Sequence, residues 1–298
     1  MWSHLKLAAP LVCVSCLLLA APQQRKTVSV LVSVTDKQGA PVPNLKEADF
    51  TIREEGKPQT IRSLVRADAS PLSIVLLIDK SGSTHDSGRE VTKAVDASLQ
   101  FFRAVLQPGR DKVALVTFNS VVAKDQDFSE DLPRLFQVLV GTLTRPSWGG
   151  TALHDAIFGA STLLEGRPGR RFILLVGDGV DNASRLSLPE VIKIIHTADI
   201  EIITIWMPSP GPPGAIFSGN GASQGRESLK AIAEETGGRY FANTEIKELA
   251  KFSQEVGAQY LMEYQSTNPR LDDKFRKIRV EPVNRNYKVR HRTGYWAN

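Results

Sequence analysis

Ile74-Val75-Leu76-Leu77-Ile78-Asp79-Lys80-Ser81-Gly82-Ser83-Thr84 decides how the rest of the chain is read. Five apolar residues in a row, with no polar alternation, describe a strand buried on both faces, as in a parallel sheet covered by helices. A polar loop follows. Val91, Val95, Leu99, Phe102 and Leu106 then recur at helical spacing. The same kind of apolar run returns at Val113–Val116, Phe172–Val176 and Ile200–Ile205, with amphipathic segments near 152–165, 187–197 and 226–236. Strands alternating with helices in this way predict an α/β layer over 73–257, a Rossmann-like, doubly wound, mostly parallel sheet. In such sheets ligands bind beyond the carboxyl ends of the strands, and the polar clusters of this chain fall there.

Outward from this region the periodicity changes. Val28, Val30, Val32 and Val34 alternate with Ser29, Leu31 and Ser33, and Asp49–Arg53 and Gln59–Arg62 are separated by Glu55-Gly56-Lys57-Pro58. Residues 26–70 therefore read as short antiparallel strands with one half-buried face. Strand character returns after a helix-like stretch at 245–257, over 258–296, in Tyr260–Tyr264, Phe275–Val283 and Tyr287–Arg292. Neither flank can bury a face alone, so the two are expected to pair into one small antiparallel β-sandwich with the α/β region inserted between them.

The chain has 298 residues, 42% of them hydrophobic and 23% charged, which excludes a disordered or many-pass membrane protein. The formal charge of +5 is local. Residues 270–292 hold nine Lys or Arg against three Asp or Glu, arranged as the solvated face of strands, with contact to an anionic envelope surface as the second reading. Nucleic acid is not expected, because no recognition-helix motif or aromatic stacking pair accompanies the charge. His4 and Lys6, the apolar run from Leu7 and the small pair Ala20-Ala21 fit a secretory signal peptide over residues 1–22, with an uncleaved N-terminal anchor as the alternative. Cys13 and Cys16 both lie in it, so its removal leaves a thiol-free chain without disulfides or zinc–thiolate sites. The expected location is outside the cytoplasm: periplasmic, secreted or held at the envelope.

Three loops carry the chemistry. Asp79-Lys80-Ser81-Gly82-Ser83-Thr84, Gly149-Gly150-Thr151 and Gly177-Asp178-Gly179-Val180-Asp181-Asn182 offer two carboxylates and several hydroxyls at or beside strand ends. Such oxygen donors suit a hard divalent cation: Mg²⁺ first, with Mn²⁺ and Ca²⁺ as alternatives. Singly, Asp79 and Ser81 could cap a helix and Gly177–Gly179 could form a turn. Together they resemble the metal-ion-dependent adhesion site of the von Willebrand factor type A family, Asp-x-Ser-x-Ser followed by a distant Thr and a distant Asp. Asp79, Ser81, Ser83, Thr151 and Asp178 match all five positions, with 72 residues from Asp79 to Thr151 and 27 more to Asp178. The segment Leu229–Phe241 is also similar to that family's late helix and last strand. The flanks, with Val34-Thr35-Asp36, Asp49–Glu54 and Arg292-Thr293-Gly294-Tyr295, resemble a bacterial secreted subgroup.

The resemblance implies that Ser81, Ser83 and Thr151 bind the metal, with Asp79 and Asp178 contributing directly or through water. It also implies a non-catalytic binding protein whose partner completes the metal's shell with an Asp or Glu side chain. A scaffold with a vestigial metal site is the alternative. A third reading starts from the likeness of Asp79-Lys80-Ser81-Gly82-Ser83 and Gly177–Asn182 to the signatures of aspartyl-phosphate cation pumps. This Mg²⁺-dependent phosphotransfer enzyme stays the least favoured alternative, because no lysine lies between Gln126 and Asp178, and the substitutes Arg170 and Arg171 stand where a strand begins. No Gly-x-Ser-x-Gly elbow supports a serine nucleophile, although His85 and His154 lie near serines. Asp181 and Asn182 are read as shaping their loop. Pro208 to Gly225, rich in Pro, Gly and Ser with Ile216-Phe217 inside it, reads as a long loop.

Overall fold

The computed structural model describes residues 26–81, 88–145, 149–208 and 220–298. The expected signal peptide at 1–22, Ser83, His85 and the apolar pair Ile216-Phe217 lie outside the described residues.

The quoted apolar run is the central strand β5 (Leu72–Asp79), and every one of its residues is buried. Following the N-terminal strands β1 (Thr27–Thr35), β2 (Phe50–Glu54), β3 (Lys57–Gln59) and β4 (Ile61–Arg66), the chain passes through β5 into α1 (Gly88–Val105). Next come β6 (Lys112–Phe118), β7 (Val122–Ser129), α2 (Leu132–Leu143), α3 (Leu153–Leu164), β8 (Arg170–Gly177) and α4 (Leu188–Ala198). The α/β layer closes with β9 (Glu201–Trp206), α5 (Asn220–Thr236), β10 (Tyr240–Ala242) and α6 (Glu248–Gly257). Its six strands run in the order β10-β9-β8-β5-β6-β7. All neighbours are parallel except the edge strand β7, which is antiparallel to β6.

Alternate residues of the buried strands feed two separate cores, as a sheet covered on both faces requires. Ile74, Leu76, Ile78 and Leu174 pack with Phe101 and Phe102 of α1, Leu135 and Leu139 of α2 and Phe252 of α6. Val75, Leu77, Ile173 and Leu175 face the other way, onto Leu153 and Ile157 of α3, Ile195 of α4 and Ile232 of α5. The doubly wound α/β reading therefore holds.

So does the pairing of the flanks. After α6 the chain forms β11 (Tyr260–Gln265), β12 (Phe275–Pro282), β13 (Lys288–Arg290) and β14 (Gly294–Trp296). Two four-stranded sheets result, β13-β1-β11-β4 and β14-β12-β2-β3, each built from both ends of the chain. β1 pairs antiparallel with β11 from Thr27–Gln265 to Val32–Tyr260, and β2 pairs antiparallel with β12. Val30, Val32, Ile52, Tyr260, Met262, Tyr264, Ile278 and Val280 form the shared core.

Three details differ from the sequence reading. Residues 220–225, expected to continue the Pro/Gly/Ser loop, are the first turns of α5. β7 and α2 were not expected. And the basic run does not form one solvated face: Arg276 is buried beside Glu54, Arg290 is ion-paired to Glu201 and Glu255, and Arg292 to Asp199. Arg270, Lys274, Lys277, Arg279, Arg285 and Lys288 are the exposed remainder.

Candidate metal centre

β5 and β8 are adjacent and parallel, with Ile78 opposite Val176, so both strands deliver a carboxylate to the same edge. Asp79 is the last residue of β5, and Asp178 follows the last residue of β8. The register leaves Gly177 beside Asp79, and a Cβ on Gly177 would lie 2.8 Å from Asp79 Cβ. Only a residue without a side chain lets the Asp79 carboxylate occupy that edge. Asp79 Oδ1 accepts the Ser81 backbone N–H at 2.8 Å, and Asp178 Oδ1 accepts the Val180 N–H at 2.9 Å.

Thr151 arrives from the third loop, just before α3. Its N–H donates to Asn182 Oδ1 at 2.7 Å, and its carbonyl accepts the N–H groups of Asn182 and Ala183 at 3.0 and 3.1 Å. The next residue, Ala152, donates to Asn119 O at 2.7 Å, while Lys80 N–H donates to Phe118 O at 2.7 Å. The loops after β5, β6 and β8 are thus stitched into one surface by main-chain bonds. Asp181 accepts from Ser184 N–H and sits 2.9 Å from His154 Nδ1. Asp181 and Asn182 therefore shape the loop, as read from the sequence, and His154 pairs with Asp181.

Two contributors gave no signal in the sequence. The Asn119 loop tethers Ala152, and α5 rests on the loop after β8 through two glycines. Gly179 has φ +79°, and a Cβ there would lie 2.1 Å from Gly225 O; a Cβ on Gly225 would lie 2.5 Å from Asp178 O. Neither position can carry a side chain without moving the backbone that presents Asp178. Isolated glycines in a Gly-rich stretch cannot be ranked without knowing what they touch.

Asp79, Ser81, Thr151 and Asp178 are thus gathered at the carboxyl edge of the sheet, each 3% exposed or less. Burial pushes the Asp79 carboxyl up to about 7; the charge of Asp178 adds to the shift, and hydrogen bonds from Ser81 and the Asp178 backbone oppose it. Two carboxylates in each other's field and away from water carry an electrostatic cost that a cation among them would relieve. The donor set fits a hard divalent ion: Asp79, Ser81, Thr151 and Asp178 would hold it through carboxylate and hydroxyl oxygens. When bound, such an ion supplies a Lewis-acidic position able to take an oxygen from outside the chain.

The phosphotransfer reading loses its substitute cation. Arg170 opens β8, whereas Asp178 follows its end, a separation of roughly 25 Å at the usual rise per strand residue. Its guanidinium donates instead to Val256 O at 2.7 Å.

A family model described as von Willebrand factor type A domain matches residues 74–180. Residues 74–180 belong to the von Willebrand factor type A family. The type A segment so defined takes in all five motif positions, from Asp79 to Asp178. Similar solved structures include an aerotolerance-related membrane protein from Bacteroides fragilis with multiple mutations to serines, 17% identical, covering 62% of this chain and 99% of its own, with TM-score 0.43. BatB from Bacteroides thetaiotaomicron is 19% identical over 62% of this chain and 97% of its own, with TM-score 0.41. The pilus adhesin SpaC from Lactobacillus rhamnosus GG, in its open conformation, is 11% identical over 83% of this chain and 47% of its own, with TM-score 0.49. No curated protein matches the chain in sequence. Among the described residues no helix is long and apolar enough to cross a membrane.

Proposed function

We propose that this chain is an exported protein-binding module that works by divalent-cation-dependent adhesion and not by catalysis. Mg²⁺ is held by Asp79, Ser81, Ser83, Thr151 and Asp178, with Mn²⁺ or Ca²⁺ as substitutes, and a protein partner contributes an Asp or Glu carboxylate to it. The observation that carries the reading is the convergence of Asp79, Ser81, Thr151 and Asp178, buried together at the carboxyl edge of the sheet inside the type A segment. Three of the five donors in this set are neutral hydroxyls, which weaken a divalent cation's Lewis acidity less than carboxylates do, so the bound ion stays electrophilic toward an acidic partner's oxygen. The leader-like residues 1–22 support export.

Titration calorimetry of Mg²⁺ and Mn²⁺ into the wild-type chain and Asp79→Ala tests the metal. Binding by wild type and loss in the variant is the expected result; equal binding by both would refute the site. Capture of an envelope partner by the immobilised chain, with and without EDTA, tests the use of the metal, and capture unchanged by the chelator would reduce the site to a structural one.

A further inference from the structure

At the opposite end of the six-stranded sheet, where β8 and β9 begin, a cavity of about 100 Å³ lies between the α/β layer and the sandwich. Leu31 and Leu261 of the sandwich form one wall, and Arg170, Arg171, Glu201 and Arg292 reach it from the others. The three arginines leave it electrostatically incomplete. Arg170 is 7% exposed, yet among the described residues no carboxylate lies within ion-pair distance; its Nη1 meets only neutral oxygens, Val256 O at 2.7 Å and Gln259 Oε1 at 3.4 Å. The Arg171 side chain makes no hydrogen bond or ion pair among the described residues. The Nε atoms of Arg170, Arg171 and Arg292 are all buried without an acceptor.

The carboxylates on the wall are already used. Asp199 pairs with Arg292 at 2.8 Å. Glu201 accepts from Arg290 at 2.7 Å and from Gln259 at 2.8 Å. Among the described residues the guanidinium groups of Arg170 and Arg171 have no carboxylate within ion-pair distance, although Asp111 and Glu201 lie near enough to act on Arg170 through space. Burial drives the Arg170 guanidinium below its ordinary pKa despite the opposing charges of Asp111 and Glu201, so a further anion in contact with it is favoured. Water could fill the space, since one water takes about 30 Å³, but water brings no charge. A tetrahedral oxyanion fits the same volume and supplies both the charge and acceptors suited to guanidinium forks.

We infer that the cavity at the joint between the α/β layer and the sandwich is a binding site for a small tetrahedral oxyanion, phosphate or sulfate, held by Arg170, Arg171 and Arg292. Arg171 is partly exposed, so the cavity is reached beside it. Bound there, the anion ties the start of β8 to the segment between β13 and β14 that carries Arg292, and it stabilises the joint without touching the metal edge.

The test uses the whole chain in EDTA, which separates this site from the metal centre. Inorganic phosphate is titrated against the protein, followed by ³¹P line broadening and by thermal unfolding, with sodium chloride at matched ionic strength as the reference and sulfate as competitor. The expected result is broadening and a rise in Tm beyond that in chloride, with sulfate competing for the same site. Arg171→Gln should weaken phosphate binding by about tenfold or more, the scale of one charge-assisted contact pair. Lys112→Gln, which removes an exposed positive charge at the start of β6, should leave it unchanged. A wild-type response to phosphate no larger than to chloride would mean water alone fills the cavity and would overturn the inference, whether or not Arg171→Gln folds. Equal affinity in a folded Arg171→Gln protein would also overturn it.

Discussion

Glu54 shows what a buried carboxylate does when the protein supplies all its partners. It is 3% exposed in the sandwich core and accepts hydrogen bonds from Tyr264 at 2.8 Å, Tyr295 at 3.0 Å and Ser266 at 2.7 Å, with Arg276 at 3.6 Å. Burial, followed by the Glu54 charge, lifts the Tyr264 phenol far above its ordinary range, so the hydroxyl remains a donor. Glu54→Gln keeps the shape but swaps an acceptor oxygen for an NH₂ facing hydroxyls and removes the buried one of Arg276's two carboxylate partners, leaving Asp272 at 3.5 Å. A loss of about 3–5 kcal/mol is expected by denaturant unfolding, the scale of breaking a buried pair; a loss under about 1 kcal/mol would contradict this role. The histidines give a pH dependence. His291 Nε2 accepts the Val280 N–H at 3.0 Å, which requires the neutral ring, and burial holds its pKa below the ordinary value. Burial does the same to His196 at the joint with Phe275, outweighing its contact with Glu235. With folded-state pKa values depressed, this stability is present above about pH 6.5, the unfolded value, and is lost as pH falls through the folded ones. His291→Gln should lower stability at neutral pH yet lose less between about pH 6.5 and 5 than wild type. Equal losses over that interval would show that His291 is not one of the groups responsible.

Between elements, the contact that matters most for the metal edge is α5 against the loop after β8. Gly225→Ala puts a methyl 2.5 Å from Asp178 O, so α5 or the loop must shift. Overpacking of this kind costs about 1–3 kcal/mol. Thermal unfolding should register that loss, and titration should register weaker Mg²⁺ binding than in Gly221→Ala, where nothing lies near the added carbon. Elements also mark where reading the sequence stops. β5, β6, β8 and β9 were legible because strands buried on both faces must be apolar throughout. β7 was not, because an edge strand, Val122-Ala-Lys-Asp-Gln-Asp-Phe-Ser129, need not alternate. α2 hid for the opposite reason: Phe136 and Val140 are apolar but 39% and 42% exposed, which blurs its inward stripe of Leu135 and Leu139. In the candidate site, side chains with a motif spacing could be named in advance. Asn182 against Thr151 and Gly225 against Asp178 could not, since each is set by which loops meet.

Across the whole molecule, the inserted layer and the sandwich are joined by charge as well as by chain. Arg290 of β13 bonds Glu201 of β9 at 2.7 Å, Glu255 of α6 at 2.6 Å and Ser33 of β1 at 2.9 Å, and its guanidinium lies 5.0 Å from the Phe252 ring centre. Gln259 completes the cluster, donating to Glu201 at 2.8 Å and Ser33 at 3.1 Å. Burial pushes the Glu201 carboxyl up and Arg290 pulls it back, so the cluster is balanced only while all its members are present. Arg290→Leu would leave two nearly buried carboxylates, Glu201 and Glu255, on the α/β side of the joint, with Arg239, 3.8 Å from Glu255, as the remaining cation. The expected loss is about 3–5 kcal/mol, as for other buried pairs broken on one side. Removing the charges together, in Arg290→Leu/Glu201→Gln/Glu255→Gln, should restore most of it, because the penalty belongs to the stranded carboxylates rather than to the lost attraction. Denaturant unfolding of the single and triple variants separates the two causes. A triple variant no more stable than Arg290→Leu would mean that shape and packing around Phe252, and not charge balance, hold the layer to the sandwich.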